Sequence, residues 1–301
     1  MKFSIITPVH NGEKYIAETI ESILSQKGDF EIEYIIRDGG STDQTVEIIR
    51  GYKDRLDSCQ YPISCRGITM SWVSEKDGGM YDAIEKGFAG AQGNIFAYLN
   101  ADDKYLPGAF ASVSKIFEDF PEIEWVKGIN KKSDEQGVHT STGSCLLYQQ
   151  NWLAKGIYGR CAYFVQQDSV FWRKSLWEKS RPSISKLKLA GDYVLWVGFA
   201  KFTPLWSFNK PVSVFRKRPG QLSTDMTAYR HEQDISLSHQ FFLEKRVLIF
   251  FQFYRLLNLQ NKKVLGKMLR WILFPFYKQQ WYIDFDTNNN PVKKPASSFL
   301  V

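Results

Sequence analysis

Residues 94–103 read "NIFAYLNADD", and the junction inside that stretch decides the fold. Ile95, Phe96, Ala97, Tyr98 and Leu99 make a continuous apolar run of strand length, as expected for a strand covered on both faces of a sheet. The run leads straight into Asn100, Asp102 and Asp103. Adjacent carboxylates repel each other and lose hydration where a strand leaves the core. A divalent cation shared with a further anion offsets that repulsion. Aspartate oxygens suit Mg²⁺ or Mn²⁺, which keep several waters and commonly bridge substrate phosphates. An Asp pair alone is a weak signal, since most such pairs cap helices or sit in solvated turns. Its place after an apolar strand strengthens it.

Upstream of this stretch, strands and helices alternate. Phe3 to Thr7 reads as a strand. Tyr15, Ile16, Ile20, Ile23 and Leu24 then recur at a helical period as far as about Gln26. Ile32 to Ile36 is a second strand, and Ser41 or Thr42 caps a helix running to about Leu56. Ile68 to Val73 is a third strand, and Met80 to Ala91 a helix that Gly93 ends. Strands joined by such helices pair in parallel, and their ligands sit outside the carboxyl ends. The loops at those ends carry Thr7 to Asn11, Asp38 to Gly40, Glu75 to Asp77, and Asn100 to Asp103. The unusual polar residues therefore gather on one edge. "DGG" at 38–40 is either a capped glycine turn or a carboxylate facing a base or ribose, with glycines admitting the ligand. Neither a P-loop nor a G-x-G-x-x-G motif occurs, which disfavours those phosphate sites.

The chain's 301 residues, 44% hydrophobic and 15% aromatic, suffice for one large α/β domain or a domain with an appendage. Four cysteines without C-x-x-C or metal-ligand spacing predict free thiols in a reducing cytosol. The opening apolar run is too short for a secretory signal, and no stretch of about 18 apolar residues would span a bilayer. The net charge of +7 lies in the tail: residues 241–281 hold eight basic residues and one acidic, and the remainder is balanced. That basic, aromatic segment reads either as an interfacial helix on anionic lipid or as helices packed on the body with a solvated basic face. No nucleic-acid recognition motif accompanies it.

Four stretches, "SIITPVHNGEKYIAETIESILSQ", "EYIIRDGGSTDQTVEII", "SEKDGGMYDAIEKG" and "GNIFAYLNADD", resemble the successive motifs of inverting family-2 glycosyltransferases of the GT-A fold. The likeness spans about residues 1–105 and continues more loosely to about 225. It implies a Rossmann-like, mostly parallel sheet flanked by helices, followed by a helical basic extension. The implied halves are a nucleotide-sugar half over 1–105, an acceptor half over 106–228 and a tail over 229–301, with 286–298 a loose terminus. By that resemblance Thr7 and Pro8, with Val9 and Asn11, line the nucleotide site. Asp38 with Gly39 meets the base, and Lys76 and Asp77 join from the third loop. Asp102 faces ribose or diphosphate, and Asp103 holds Mn²⁺ or Mg²⁺. Asn100 stands at the first position of the D-x-D motif, and Glu85 stands where relatives have Asn, leaving Lys86 as the donor contact.

Displacement at an anomeric carbon also needs a base for the acceptor's proton, from outside the nucleotide half. In "KLKLAGDYVLWVGFAK", Asp192 opens an apolar helix; it is either an N-cap or, by the resemblance, the general base. Gln166 and Gln167, before a helix expected over Phe171 to Glu178, can bond sugar hydroxyls. Trp172 offers either a face to a sugar ring or ordinary core packing. "VFRKRPGQLST" resembles a loop closing over donor, with Arg216, Arg218 or Gln221 on diphosphate. The expected partners are a nucleotide-diphosphate sugar, a saccharide or lipid-linked saccharide acceptor and, through the tail, an anionic membrane. The expected place is the cytoplasm or the inner face of its membrane. The rival readings are an inactive glycan- or nucleotide-sugar-binding module and a sugar nucleotidyltransferase. The latter would want a Gly-rich basic loop after the first strand.

Overall fold

The computed structural model describes residues 1–160, 162–221, 225–236, 245–246, 249 and 280–296. The first hundred residues form β1 (Lys2–Val9), α1 (Ile16–Leu24), β2 (Lys27–Asp38), α2 (Thr45–Asp57), β3 (Ser64–Ser74), α3 (Met80–Ala89) and β4 (Ile95–Tyr98). β1 lies between β2 and β4, parallel to both, and β3 continues the sheet beyond β2. All four residues of β4 and seven of the eight in β1 are buried; β4 reads as an unbroken apolar run, and β1 as one interrupted only by Ser4 and Thr7.

The second half adds β5 (Lys104–Tyr105), α4 (Ala109–Asp119), β6 (Trp125–Ser133), β7 (His139–Thr142), α5 (Gln150–Leu153), β8 (Val170–Arg173), α6 (Lys174–Ser180), α7 (Gly191–Ala200) and β9 (Trp206–Arg216). Then come α8 (Met226–Ser236), β10 (Trp281–Phe285) and β11 (Pro291–Pro295). Among the described residues one sheet runs β11-β10-β9-β6-β8-β4-β1-β2-β3, with β5 against β9 and β7 against β6. β8 is antiparallel to both β4 and β6, which marks the end of the parallel half.

Two expectations are corrected. The helix anticipated over Phe171 to Glu178 is a strand followed by a helix. Val170, Phe171 and Trp172 are buried between β4 and β6, where an apolar triplet serves as a strand, and helix begins only at Lys174. Trp172 is fully buried, edge-on to Phe88 and Trp196, so it packs the core and meets no sugar. The stretch expected as a loose terminus is instead most of a hairpin. Asp286 accepts the amides of Asn288 and Asn290, turning β10 into β11, and β10 joins β9 at Ile283 and Phe208. The basic segment read as an interfacial or packed helix lies, apart from 245–246, 249 and 280–281, outside the described residues.

Candidate active site

The first two loops are sewn together before any ligand is considered. Asn11 adopts φ 50°, a left-handed turn that Asn tolerates, and its Oδ1 accepts the Thr42 amide at 2.9 Å. Its own amide donates to Ser41 Oγ at 2.7 Å, and Gly12 N donates to Thr45 Oγ1 at 2.8 Å. Asp38 braces the same turn from beneath. It accepts the amides of Gly40 (3.1 Å) and Ser41 (2.9 Å) and the Ser74 hydroxyl (2.6 Å), with the Ser41 hydroxyl on its other oxygen. Only 1% exposed, it shapes the loop and is not itself on the cavity wall, which corrects its expected contact with a base.

At the turn after β4 the two neighbouring carboxylates part company. Asp103 is 1% exposed; its Oδ1 accepts the Arg216 amide at 2.9 Å and its Oδ2 has no partner. Burial, with Asp102 and Asp168 adding repulsion, holds its carboxyl well above the usual carboxylate range. Asp103 does not reach the cavity wall. Asp102 turns the other way, onto a cavity, where Arg218 Nε donates to Oδ2 at 2.6 Å. The expectation that Asp103 grips the metal is therefore corrected: the carboxylate within reach is Asp102.

Asp192 lies in the first turn of α7 and opens on the same cavity. Three donors converge on its Oδ1: the Tyr193 amide at 2.8 Å, the Tyr229 hydroxyl at 2.9 Å and the Tyr81 hydroxyl at 3.3 Å. No donor among the described residues meets Oδ2. Burial pushes the carboxyl up to about 6, against the pull of these hydrogen bonds. Asp192 is not the N-cap, which is Ala190 without a side-chain cap; Glu232 of α8 instead takes the amides of Lys188, Leu189 and Ala190, just before α7, at 2.5–2.7 Å. Gly191 makes the approach of α7 to α3 feasible, since a Cβ there would lie 2.5 Å from the Tyr81 ring.

The cavity measures about 1030 Å³, room for a nucleotide sugar and part of an acceptor. Six cations (Lys14, Lys76, Lys132, Lys188, Lys217, Arg218) and four carboxylates (Asp77, Glu135, Asp102, Asp192) line it, leaving it net basic. Of the residues expected there, Pro8, Val9, Asn11, Gly39, Lys76, Asp77, Asn100, Asp102, Gln166, Gln167, Gln221 and Asp192 are on its wall. Thr7 is not; it is buried under the wall with its hydroxyl against Tyr34. Lys86 pairs with Asp82 on α3, and Glu85 accepts the amides of Ile184 and Ser185, so neither lines the cavity. Arg216 is 2% exposed and knits Asp102 O, Glu135 O and Glu18 together, a brace for the turn and not a diphosphate contact. Three polar groups on the wall are buried without partners: Asn100 Oδ1, the Tyr98 hydroxyl and both amide atoms of Gln167. Buried polar atoms are rarely left so, and these suit a ligand rich in hydroxyls and phosphate oxygens.

The profile of glycosyl transferase family 2 matches residues 4–177, more than half of the chain. The chain belongs to glycosyltransferase family 2. It is 30% identical over 149 residues to the poly(ribitol-phosphate) beta-N-acetylglucosaminyltransferase TarS of Staphylococcus aureus, covering 47% of this chain and 24% of that one. The chain thus spans about a quarter of that relative's length. Its fold is that of S. aureus TarS residues 1–349 in complex with UDP-GlcNAc, at TM-score 0.60 and 17% identity over 82% of this chain and 70% of that one. A mannosyltransferase from Pyrobaculum calidifontis, in complex with GDP-Man and Mn²⁺, aligns at TM-score 0.50 and 17% identity, over 77% and 60%. The family-2 chain described here therefore has a GT-A-type sheet with its motif loops on one edge.

For a divalent ion, this family-2 site offers Asp102 and the unpartnered Asn100 Oδ1. Among the described residues no three His, Cys, Asp or Glu side chains gather as a metal cage. An ion held by one carboxylate and one amide oxygen keeps waters and phosphate oxygens as its other ligands, the habit of Mg²⁺ and Mn²⁺. The donor set fits. What sequence reasoning missed are Tyr81 and Tyr229, which read as core aromatics, and Lys132 and Lys188, which carry no local signal. No helix among the described residues is long and apolar enough to cross a membrane.

Proposed function

We propose that this chain transfers a sugar from a nucleotide-diphosphate donor to a hydroxyl of a saccharide or lipid-linked saccharide, with inversion, in assembly of a cell-envelope polysaccharide. The observation that carries this is the opening of Asp102 and Asp192, from opposite halves of the sheet, onto one net-basic cavity. The diphosphate sits by Arg218 and Lys76, with the base by Pro8 to Asn11 and Gly39. Asn100 and Asp102 would hold Mn²⁺ or Mg²⁺, which supplies positive charge against the diphosphate. Gln166 and Gln167 bond sugar hydroxyls. Asp192 Oδ2 takes the acceptor's proton as the acceptor oxygen bonds to the anomeric carbon. The bond from that carbon to the phosphate oxygen breaks, its electron pair leaving with the nucleoside diphosphate.

UDP-N-acetylglucosamine is the first donor to test and GDP-mannose the second. The decisive comparison is nucleotide release by wild type and Asp192→Asn, with Mn²⁺ and with chelator, alongside calorimetric binding of UDP. Loss of about 10²–10⁴ in turnover with unchanged nucleotide affinity is expected. Wild-type turnover by Asp192→Asn would remove the assignment. Seating of the basic segment 241–281 on lipid is proposed from its sequence alone; equal flotation of full-length and tail-deleted protein with anionic vesicles would exclude it.

A further inference from the structure

We propose that Tyr229 is the positioning residue for Asp192: its hydroxyl holds Oδ1 so that Oδ2 alone faces the acceptor. This rests on the reading of Asp192 as the base. A carboxylate free to rotate about its Cβ–Cγ bond presents either oxygen in turn, and a base works best when one oxygen is held on line. Of the three donors on Oδ1, the Tyr193 amide belongs to the same helix and moves with it. Tyr81 has one proton and two acceptors, and lies closer to Leu189 O (3.0 Å) than to Asp192 (3.3 Å). Tyr229 makes the shorter hydroxyl contact, 2.9 Å, from a separate helix. Its ring is 8% exposed, packed with Ala190, Tyr193 and Val197 and edge-on to Phe164. The hydroxyl is thus delivered by a rigid mount. Glu232, one turn further along α8, clamps the amides that precede Asp192, so one helix holds both the backbone and the side chain of the base.

The test follows the carboxyl carbon of Asp192 by ¹³C NMR in the full chain, with Asp192→Asn assigning the signal and no ligand needed. The other titratable groups around it are Tyr81 from α3, Tyr98 from β4, Tyr193 on α7, Lys188 before it and Glu232 on α8, and none is altered. Tyr229→Phe removes a bond that favours the ionised form, so the midpoint should rise from about 6 by about half to one pH unit. UDP release from UDP-N-acetylglucosamine should fall about tenfold in kcat with little change in KM. Fluorotyrosine at 229 keeps the ring, is a stronger donor and should shift the midpoint downward, a second measurement should the Phe variant fold poorly. If Asp192→Asn is inactive while Tyr229→Phe keeps the wild-type midpoint and rate, the base stands and the positioning role falls. If Asp192→Asn retains the wild-type rate, the base reading falls by itself.

Discussion

Arg218 Nε donates to Asp102 Oδ2 at 2.6 Å, joining the segment after β9 to the turn after β4 across 116 residues of sequence. Asp102 thereby has a built-in cation, and any metal ion must compete with it. The pair is partly exposed, so its worth is at most about 1 kcal/mol. Arg218→Gln should tighten Mn²⁺ binding to the nucleotide-free chain by about two- to fivefold, read by electron paramagnetic resonance. The same variant should weaken UDP binding, because the diphosphate loses a charged partner. Opposite signs in one variant distinguish this arrangement from a simple loss of structure, and Asp102→Asn should abolish Mn²⁺ binding outright.

The carboxyl of Asp192, raised by burial to about 6, gives a pH profile whose sign is fixed by its role. A base must be ionised, so log kcat/KM should climb with unit slope below pH 6 and level off above it. The linkage to stability runs in the other sense. A carboxyl whose folded value exceeds its ordinary 3.8 favours the fold when protonated, and this contribution disappears as pH rises through 6. Asp192→Asn should therefore be more stable than wild type at pH 8, by about 3 kcal/mol, with the difference vanishing near pH 4. Denaturant titrations at the two pH values measure it.

Two glycines on α7 predict effects of opposite sign. A Cβ on Gly191 would lie 2.5 Å from the Tyr81 ring, whereas one on Gly198 meets nothing within 4 Å. Gly191→Ala should cost about 1–3 kcal/mol through overpacking and shift Asp192 from its donors, with turnover falling too. Gly198→Ala should be neutral or stabilising by up to about 1 kcal/mol, since it only stiffens a helix interior. Thermal melts of the two variants side by side decide the matter.

The edge of the sheet was legible because parallel pairing sends every strand's carboxyl end the same way. That the loops carrying Pro8, Gly39, Asp77 and the Asp102–Asp103 pair share one edge follows from that rule. Which of two neighbouring aspartates faces outward does not, because it depends on a tight turn, Asp103 N to Asn100 O at 3.1 Å, and on Arg216 arriving from 113 residues away. Thr7 and Asp38 were misplaced for a related reason: a strand's last residues alternate between wall and interior, and the register is set by neighbours. Tyr81 and Tyr229 were invisible as site residues, since buried aromatics look alike until the polar tip finds a partner. The strand at Val170–Arg173 resembled a helix start because an apolar triplet before basic residues suits either element.

The hairpin of β10 and β11 joins the body, and this too can be measured. Ile283 of β10 is fully buried beside Phe208 of β9, and Lys294 pairs with Asp284 at 2.8 Å across the hairpin. Lys293 lies over the rings of Phe120 and Trp206, 4.5 and 4.9 Å from their centroids, and pairs with Glu122. An appended tail would leave the domain's stability unchanged when altered, whereas a strand of the sheet would not. Ile283→Ala should cost about 2–5 kcal/mol in urea denaturation, the range for truncating a buried aliphatic side chain. Trp281→Ala, at a side chain 49% exposed on the same strand, should stay within about 0.5 kcal/mol of wild type. Equal, small effects at both positions would mean that the hairpin only rests on β9; the predicted contrast requires that Ile283 completes the core under the sheet's far edge.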